Sequence, residues 1–153
     1  MEFSIRQALA DDAAALTGLM HASSAYGGKY ASILDGYAVT PEQIARDVVF
    51  VAEGDGRALG FYSLTLADEP ELDLLFVADG TQGSGLGRAL FSHMLDEARR
   101  RGHGSVRIVS HPPSVGFYER MGARLVGTKP PSGGRVRWSR PILEVPTGRG
   151  GSA

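Results

Sequence analysis

Cysteine is absent from the 153 residues, which excludes disulfides, thiolate metal sites and a cysteine nucleophile. Long apolar runs are missing as well: no stretch approaches the roughly 20 residues that a bilayer-spanning helix needs. Met1-Glu2-Phe3-Ser4 has neither the basic nor the apolar region of a secretory leader. A cytoplasmic protein without a membrane partner is therefore expected. Charge of one sign is scarce, with 16 Lys and Arg against 17 Asp and Glu and a net charge of −1. The one basic run, Arg99-Arg100-Arg101, is too short to make a case for nucleic acid. The four histidines, at 21, 93, 103 and 111, have no metal-ligand spacing, so no metal is expected.

What remains is the composition of one globular domain, 42% hydrophobic and 22% charged, long enough to build a full core. The expected domain spans 1–146, with 147–153 as a disordered tail. Phe3, Ile5 and Gln7 alternate with polar residues and predict a strand; Asp11-Asp12 reads as the N-cap of a helix over Ala13 to Met20. Residues 23–39 are rich in Gly and Tyr and read as an irregular segment of the kind that lies over a site. Thr40-Pro41-Glu42-Gln43 combines a capping Thr, a first-turn Pro and a capping-box Gln, which starts a short helix ending near Asp47. Val48 to Glu53 and Leu59 to Leu66 form a hairpin around Gly54-Asp55-Gly56.

A third strand, Glu71 to Val77, runs into Gln82-Gly83-Ser84-Gly85-Leu86-Gly87-Arg88. The following helix carries an apolar stripe at Leu86, Leu90, Met94 and Ala98, and it ends where Arg99 to Arg101 complement its dipole and Gly102 breaks it. A strand at about 105–109, a helix at about 114–121, a strand at 124–128 and a last strand within 136–145 complete the chain.

The strand, glycine loop and helix at 71–101 hold most of the chemical information. Alternate glycines let backbone N–H groups converge on an anion, and the helix N-terminus adds its positive dipole end. Arg88 in the first turn opposes that dipole unless an anion pairs with it. A magnesium-nucleotide loop needs Gly-Lys-Ser/Thr, but Gly87 is followed by Arg88-Ala89; a dinucleotide fingerprint needs another glycine spacing and a distant acid, where this chain has Val106-Arg107.

Gln82-x-x-Gly85-x-Gly87 after Leu75-Phe76-Val77 resembles the coenzyme signature of the GCN5-related N-acetyltransferases, the GNAT family. Phe117-Tyr118-Glu119-Arg120-Met121-Gly122-Ala123 resembles that family's second hallmark, and the element order follows it over residues 1–145. The resemblance implies an α/β (α+β) fold: a mixed, mostly antiparallel central sheet of six to seven strands, flanked by about four helices, with splayed strands forming the acyl-CoA cleft. It implies acetyl-CoA as co-substrate, held by Leu75, Phe76 and Val77 along the bulged strand and by Gln82, Gly83, Ser84, Gly85, Leu86, Gly87 and Arg88 at the pyrophosphate. By the same resemblance Tyr118 contacts the coenzyme and protonates the leaving thiolate, a transfer its phenol can make. Glu71 stands where many members keep a general base, and Asp73, two residues on, shares its side-chain parity.

One departure is His111-Pro112-Pro113-Ser114, where relatives often read Asp-Pro-Asn-Ala; the Asn that would contact coenzyme is missing and His111 is a further site candidate. The acceptor cleft implied by the family is framed here by Tyr26, Tyr30, Tyr37 and Trp138, with Asp35, Glu71 or Asp73 nearby. Aromatic walls with a carboxylate suit a small-molecule amine or a peptide N-terminus. The resemblance allows a homodimer, which no feature of the sequence itself indicates. Two other functions stay open on the sequence: a non-catalytic acyl-CoA-binding sensor or scaffold of the same fold, and a nucleotide-binding protein.

Overall fold

β-Branched and aromatic runs become strands at the expected places. The computed structural model describes residues 2–24, 34, 36–67, 69–81, 83–131 and 138–148. In it β1 (Ser4–Gln7), β2 (Val48–Gly54), β3 (Arg57–Thr65), β4 (Glu71–Val77), β5 (Ser105–Val109), β6 (Arg124–Lys129) and β7 (Arg140–Pro146) form one sheet ordered β1-β2-β3-β4-β5-β7-β6. β4 and β5 run parallel and all other neighbours antiparallel. With α1 (Ala13–Ala22), α2 (Pro41–Arg46), α3 (Leu86–Arg100) and α4 (Val115–Arg120), this is the mixed sheet with four helices that the resemblance implied. The β2–β3 turn has positive φ at Asp55 (54°) and Gly56 (75°), which matches the strand twist.

Each face of the sheet buries its own core. α3 lays Leu86, Leu90, Phe91, Met94 and Ala98 against Leu59, Tyr62, Leu64, Val106, Ile108 and Leu143, and Phe117 and Tyr118 of α4 pack beside them. On the other face Ala13, Leu16 and Met20 of α1 and Ile44 of α2 cover Val49, Val51, Phe61, Leu74 and Phe76. Full burial of such a side chain is worth about 1.5–3 kcal/mol, so the α3 stripe alone anchors that helix. Under α3 the Tyr62 hydroxyl meets His93 Nδ1 at 2.8 Å. Burial pushes the Tyr62 hydroxyl up and the His93 imidazole down.

Four local expectations are met differently. Asp12 caps α1 without a side-chain bond; its carboxylate instead accepts the Leu9 N–H (2.7 Å) and pairs with the Arg6 guanidinium (2.9 Å). Thr40 does cap α2, accepting the Gln43 N–H at 3.1 Å, but the Gln43 side chain is buried and turned to other partners. The arginines after α3 do more than face its dipole. Arg100 and Arg101 both pair with the Glu97 carboxylate, which the helix buries and the apolar stripe gave no hint of. Thr147, expected in the tail, is buried: its N–H donates to the Gly104 carbonyl (3.0 Å) and its hydroxyl to that of His103 (2.7 Å).

Candidate active site

β3 and β4 pair through Ser63↔Leu74 and, one step on, Leu64↔Leu72, so Asp73 is an extra residue on β4. Such a bulge re-aims the strand. Leu72 joins the core under α3, Leu74 and Phe76 the core under α1, and Leu75 and Val77 return to the α3 side. Pairing of β4 with β5 is limited to Glu71↔Arg107 and Leu72↔Ile108. The two strands therefore part at the bulge, while β5 stays paired to β7 along its whole length.

The parting opens a cleft of about 190 Å³. It is lined by Leu75, Phe76 and Val77 of β4, Gly87 of α3, and Ser114, Phe117 and Tyr118 at and in α4, together with Ser23, Ser24 and Asp79. Tyr118 is half-buried, with its ring 5.4 Å from Phe117 and 5.9 Å from Phe91 between centroids. These contacts fix the ring's direction while leaving it part of the cleft wall.

Just ahead of Gly87 the loop before α3 turns back on itself. Ser84 donates its N–H (3.1 Å) and hydroxyl (2.5 Å) to the Thr81 carbonyl, and its oxygen accepts the Leu86 N–H at 3.3 Å. Gly85 has φ 84° and no atom within 4 Å of the Cβ it lacks. That conformation favours glycine, and the open space lies on the side a side chain would fill. The first intrahelical bond runs from the Ala89 N–H to the Gly85 carbonyl at 2.9 Å. The amides of Leu86, Gly87 and Arg88 thus belong to the first turn; Ser84 Oγ takes the first, and for the other two the helix supplies no acceptor and an anion is favoured. Gly83, Gly85 and Arg88 are exposed, and Leu86 is buried as the helix's first core residue.

The two carboxylates sit at the closed end of the splay. Glu71 lies where β4 and β5 are still paired, and Asp73 at the point where they separate. Asp73 Oδ2 accepts from the Tyr37 hydroxyl (3.4 Å) and from Gln43 Nε2 (3.5 Å). Partial dehydration of this carboxyl raises it above the ordinary aspartate range; the Tyr37 hydrogen bond and Arg46 pull it down, and the negative charges of Glu71 and Asp47 push it up. His111 is buried, and its carbonyl accepts the Ser114 N–H (3.1 Å) and the Ser110 hydroxyl (2.7 Å), shaping the turn that feeds Ser114 and α4 into the cleft. Trp138 is half-buried just ahead of β7. Tyr26, Tyr30, Asp35 and Gln82 lie outside the described residues.

Sequence reasoning missed three parts of the site. Asp79 Oδ1 accepts both the Ser24 N–H (3.2 Å) and the Ser24 hydroxyl (3.1 Å), tying the end of α1 to the loop after β4. A contact across 55 positions has no local signal. Gln43 was hidden by its capping position, and Ser23 by the irregular segment that follows it. Among the described residues no group of three or more His, Asp or Glu side chains is placed to hold a metal ion. Among them, too, no helix is long and apolar enough to cross a membrane.

A mixed sheet that splays at a bulged parallel strand, with a glycine turn before the next helix, defines the acetyltransferase class, and the comparisons agree. The profile of the Acetyltransferase (GNAT) domain family matches residues 32–131, more than half of the chain. The chain belongs to the GNAT acetyltransferase family. Its fold is similar to that of the ribosomal-protein-S18-alanine N-acetyltransferase from Escherichia coli, with 21% identity over 99% of this chain and 97% of that one at a TM-score of 0.72. The PaiA N-acetyltransferase from Thermoplasma acidophilum, solved with coenzyme A, is 20% identical over 95% and 99% at 0.77. An aminoglycoside 6′-N-acetyltransferase, also solved with coenzyme A, is 15% identical over 96% and 97% at 0.72. No curated protein sequence matches the chain.

Proposed function

We propose that the protein transfers the acetyl group of acetyl-CoA to a primary amine by direct attack on the thioester. The observation that carries this reading is the parting of β4 from β5 after Leu72, beside a cleft lined by Leu75, Val77, Tyr118 and Gly87 of the first turn of α3. In a member of the acetyltransferase family, that is the shape an acyl-thioester arm needs: an open strand edge on one side and an apolar wall on the other.

Bound acetyl-CoA supplies the activated acetyl group. The β5-facing edge of β4 at Leu75, Phe76 and Val77 hydrogen-bonds the pantetheine arm as an added strand would. The pyrophosphate lies over residues 82 to 88, with the amides of Gly87 and Arg88 donating to it and the Arg88 guanidinium adding a charge-assisted contact. An N–H near Val77 polarises the thioester carbonyl where negative charge develops. Tyr118 donates its proton to the departing sulfur. Glu71 or Asp73 takes the proton that an ammonium must lose before it can attack. The acceptor is a small-molecule amine or a peptide N-terminus, framed by Tyr26, Tyr30, Asp73 and Trp138. S18-alanine and aminoglycoside amines, named for two of the structural neighbours, are both of this chemical kind.

The test is release of free thiol from acetyl-CoA across a panel of spermidine, tryptamine, kanamycin and a peptide with a free N-terminus. Steady thiol release with any of them, with the acetylated amine recovered, is the expected result. Tight coenzyme A binding with no turnover on the panel would replace this reading by a non-catalytic acyl-CoA sensor.

A further inference from the structure

Asp73 is the extra residue of the bulge, and two side chains from outside the strand, Tyr37 and Gln43, converge on its carboxyl. The Tyr37 hydroxyl donates to Oδ2 at 3.4 Å, and Gln43 Nε2 reaches both the Tyr37 oxygen, at 3.3 Å, and the same Oδ2, at 3.5 Å. Gln43 is only 5% exposed, so its amide needs protein partners and its direction is set by them. Tyr37 is pinned in turn: its N–H donates to the Leu34 carbonyl (3.0 Å), its own carbonyl meets His21 Nε2 (2.6 Å), and its ring packs against the core under α1. The residue Asp73 is exposed overall, while its carboxyl is turned against these two side chains. A bulge needs no such support, since its geometry is made by the β3–β4 ladder. A buried amide aimed at the carboxyl of an otherwise exposed residue serves the carboxyl's position.

We propose that Gln43 and Tyr37 are positioning residues for Asp73, and that Asp73 docks the acceptor's ammonium group and accepts its proton before attack. This rests on the amine-acetylation reading above. The Asp73 carboxylate takes one proton from R–NH₃⁺, leaving R–NH₂ and a carboxylic acid. The nitrogen lone pair forms the C–N bond to the thioester carbon, the C–S bond breaks, and Tyr118 gives the sulfur a proton. The nitrogen loses a second proton, which restores Tyr118 through solvent, and Asp73 returns its own to water. Ammonium and thioester thus become amide, thiol and one proton. The dehydration that raises this carboxyl suits the role, because a base nearer the working pH transfers protons more effectively. Tyr37, Arg46, Asp47 and Glu71 are the titratable and charged groups that act on it.

The experiment is the pH dependence of kcat/KM for the best acceptor of the panel, at saturating acetyl-CoA, with coenzyme A affinity measured separately by calorimetry. Asp73→Asn should lose the acid limb and fall about 10²- to 10⁴-fold, with coenzyme affinity kept. Tyr37→Phe deletes a donor to the carboxylate and should move the acid limb to higher pH; Gln43→Met should move it the same way. A merely structural role would lower the melting temperature and leave the limb in place. An unmoved limb in a folded Tyr37→Phe overturns the proposal, and Tyr37→Phe carries the test alone should Gln43→Met fail to fold. Loss of the limb in Glu71→Gln with retention in Asp73→Asn also overturns it. Wild-type protein that binds coenzyme A and acetylates no amine would instead sink the underlying reading, so the two failures are distinct.

Discussion

Gly85→Val tests the glycine turn directly. Gly85 sits at φ 84°, and nothing lies within 4 Å of a Cβ built there. The folding penalty is therefore conformational and not a clash. A left-handed conformation costs a side-chain-bearing residue about 1–2 kcal/mol, and β-branching places valine at the upper end. For a domain of this size, about 2 kcal/mol lowers the melting temperature by roughly 4–8 °C. The functional loss is separate, because in the proposed cradle the valine methyls would keep the pyrophosphate from approaching the backbone. Each charge-assisted amide–phosphate bond is worth about 1.5–3 kcal/mol, and losing one weakens binding roughly 10- to 150-fold. Circular-dichroism melting and calorimetric titration with coenzyme A measure the two effects. Gly104→Ala is the control: its backbone is not left-handed, no atom lies within 4 Å, and a change within about 0.5 kcal/mol is expected. A folded Gly85→Val protein that binds coenzyme A as tightly as wild type would refute the cradle.

The other predictions concern acid chemistry and stability. Tyr118→Phe keeps the ring that packs on Phe117 and Phe91 and deletes the phenol, so single-turnover acetylation at saturating acetyl-CoA should slow about 10²- to 10⁴-fold with coenzyme affinity kept. Equal single-turnover rates would reduce Tyr118 to packing. Gly18 lies in the interior of α1 with open space around it, so Gly18→Ala should stabilise by about 0.5–1 kcal/mol, seen as a rise in melting temperature of about 1–4 °C. Arg6 holds the Asp12 carboxyl below its ordinary range, first through hydrogen bonds. A depressed folded-state value adds stability above the unfolded value of about 3.9 and loses it as pH falls through the folded one. Asp12→Asn should therefore destabilise at pH 7 by on the order of 1 kcal/mol, because Arg6 is partly exposed, seen as a fall in melting temperature of about 2–4 °C, with the gap closing in acid.

By itself the sequence determined what short-range chemistry controls. Thr40-Pro41 started a helix and Asp55-Gly56 a hairpin, because caps and left-handed turns are made within a few residues. The 86–98 stripe found its core because its period is that of the helix. The glycine loop between a strand and that helix, together with the Phe117-Tyr118 hallmark, was enough to read the family. Only the tertiary structure decided the rest. Strand register depends on the partner strand, so the extra residue at Asp73 and the two-pair limit of the β4–β5 ladder cannot be seen in β4 alone. The same holds for Gln43, which short-range reasoning spent on a cap and the fold turned toward Asp73, and for Glu97, a buried acid made tolerable by Arg100 and Arg101. Polar groups choose their partners by where the packed core leaves them, and that position is a property of the whole chain.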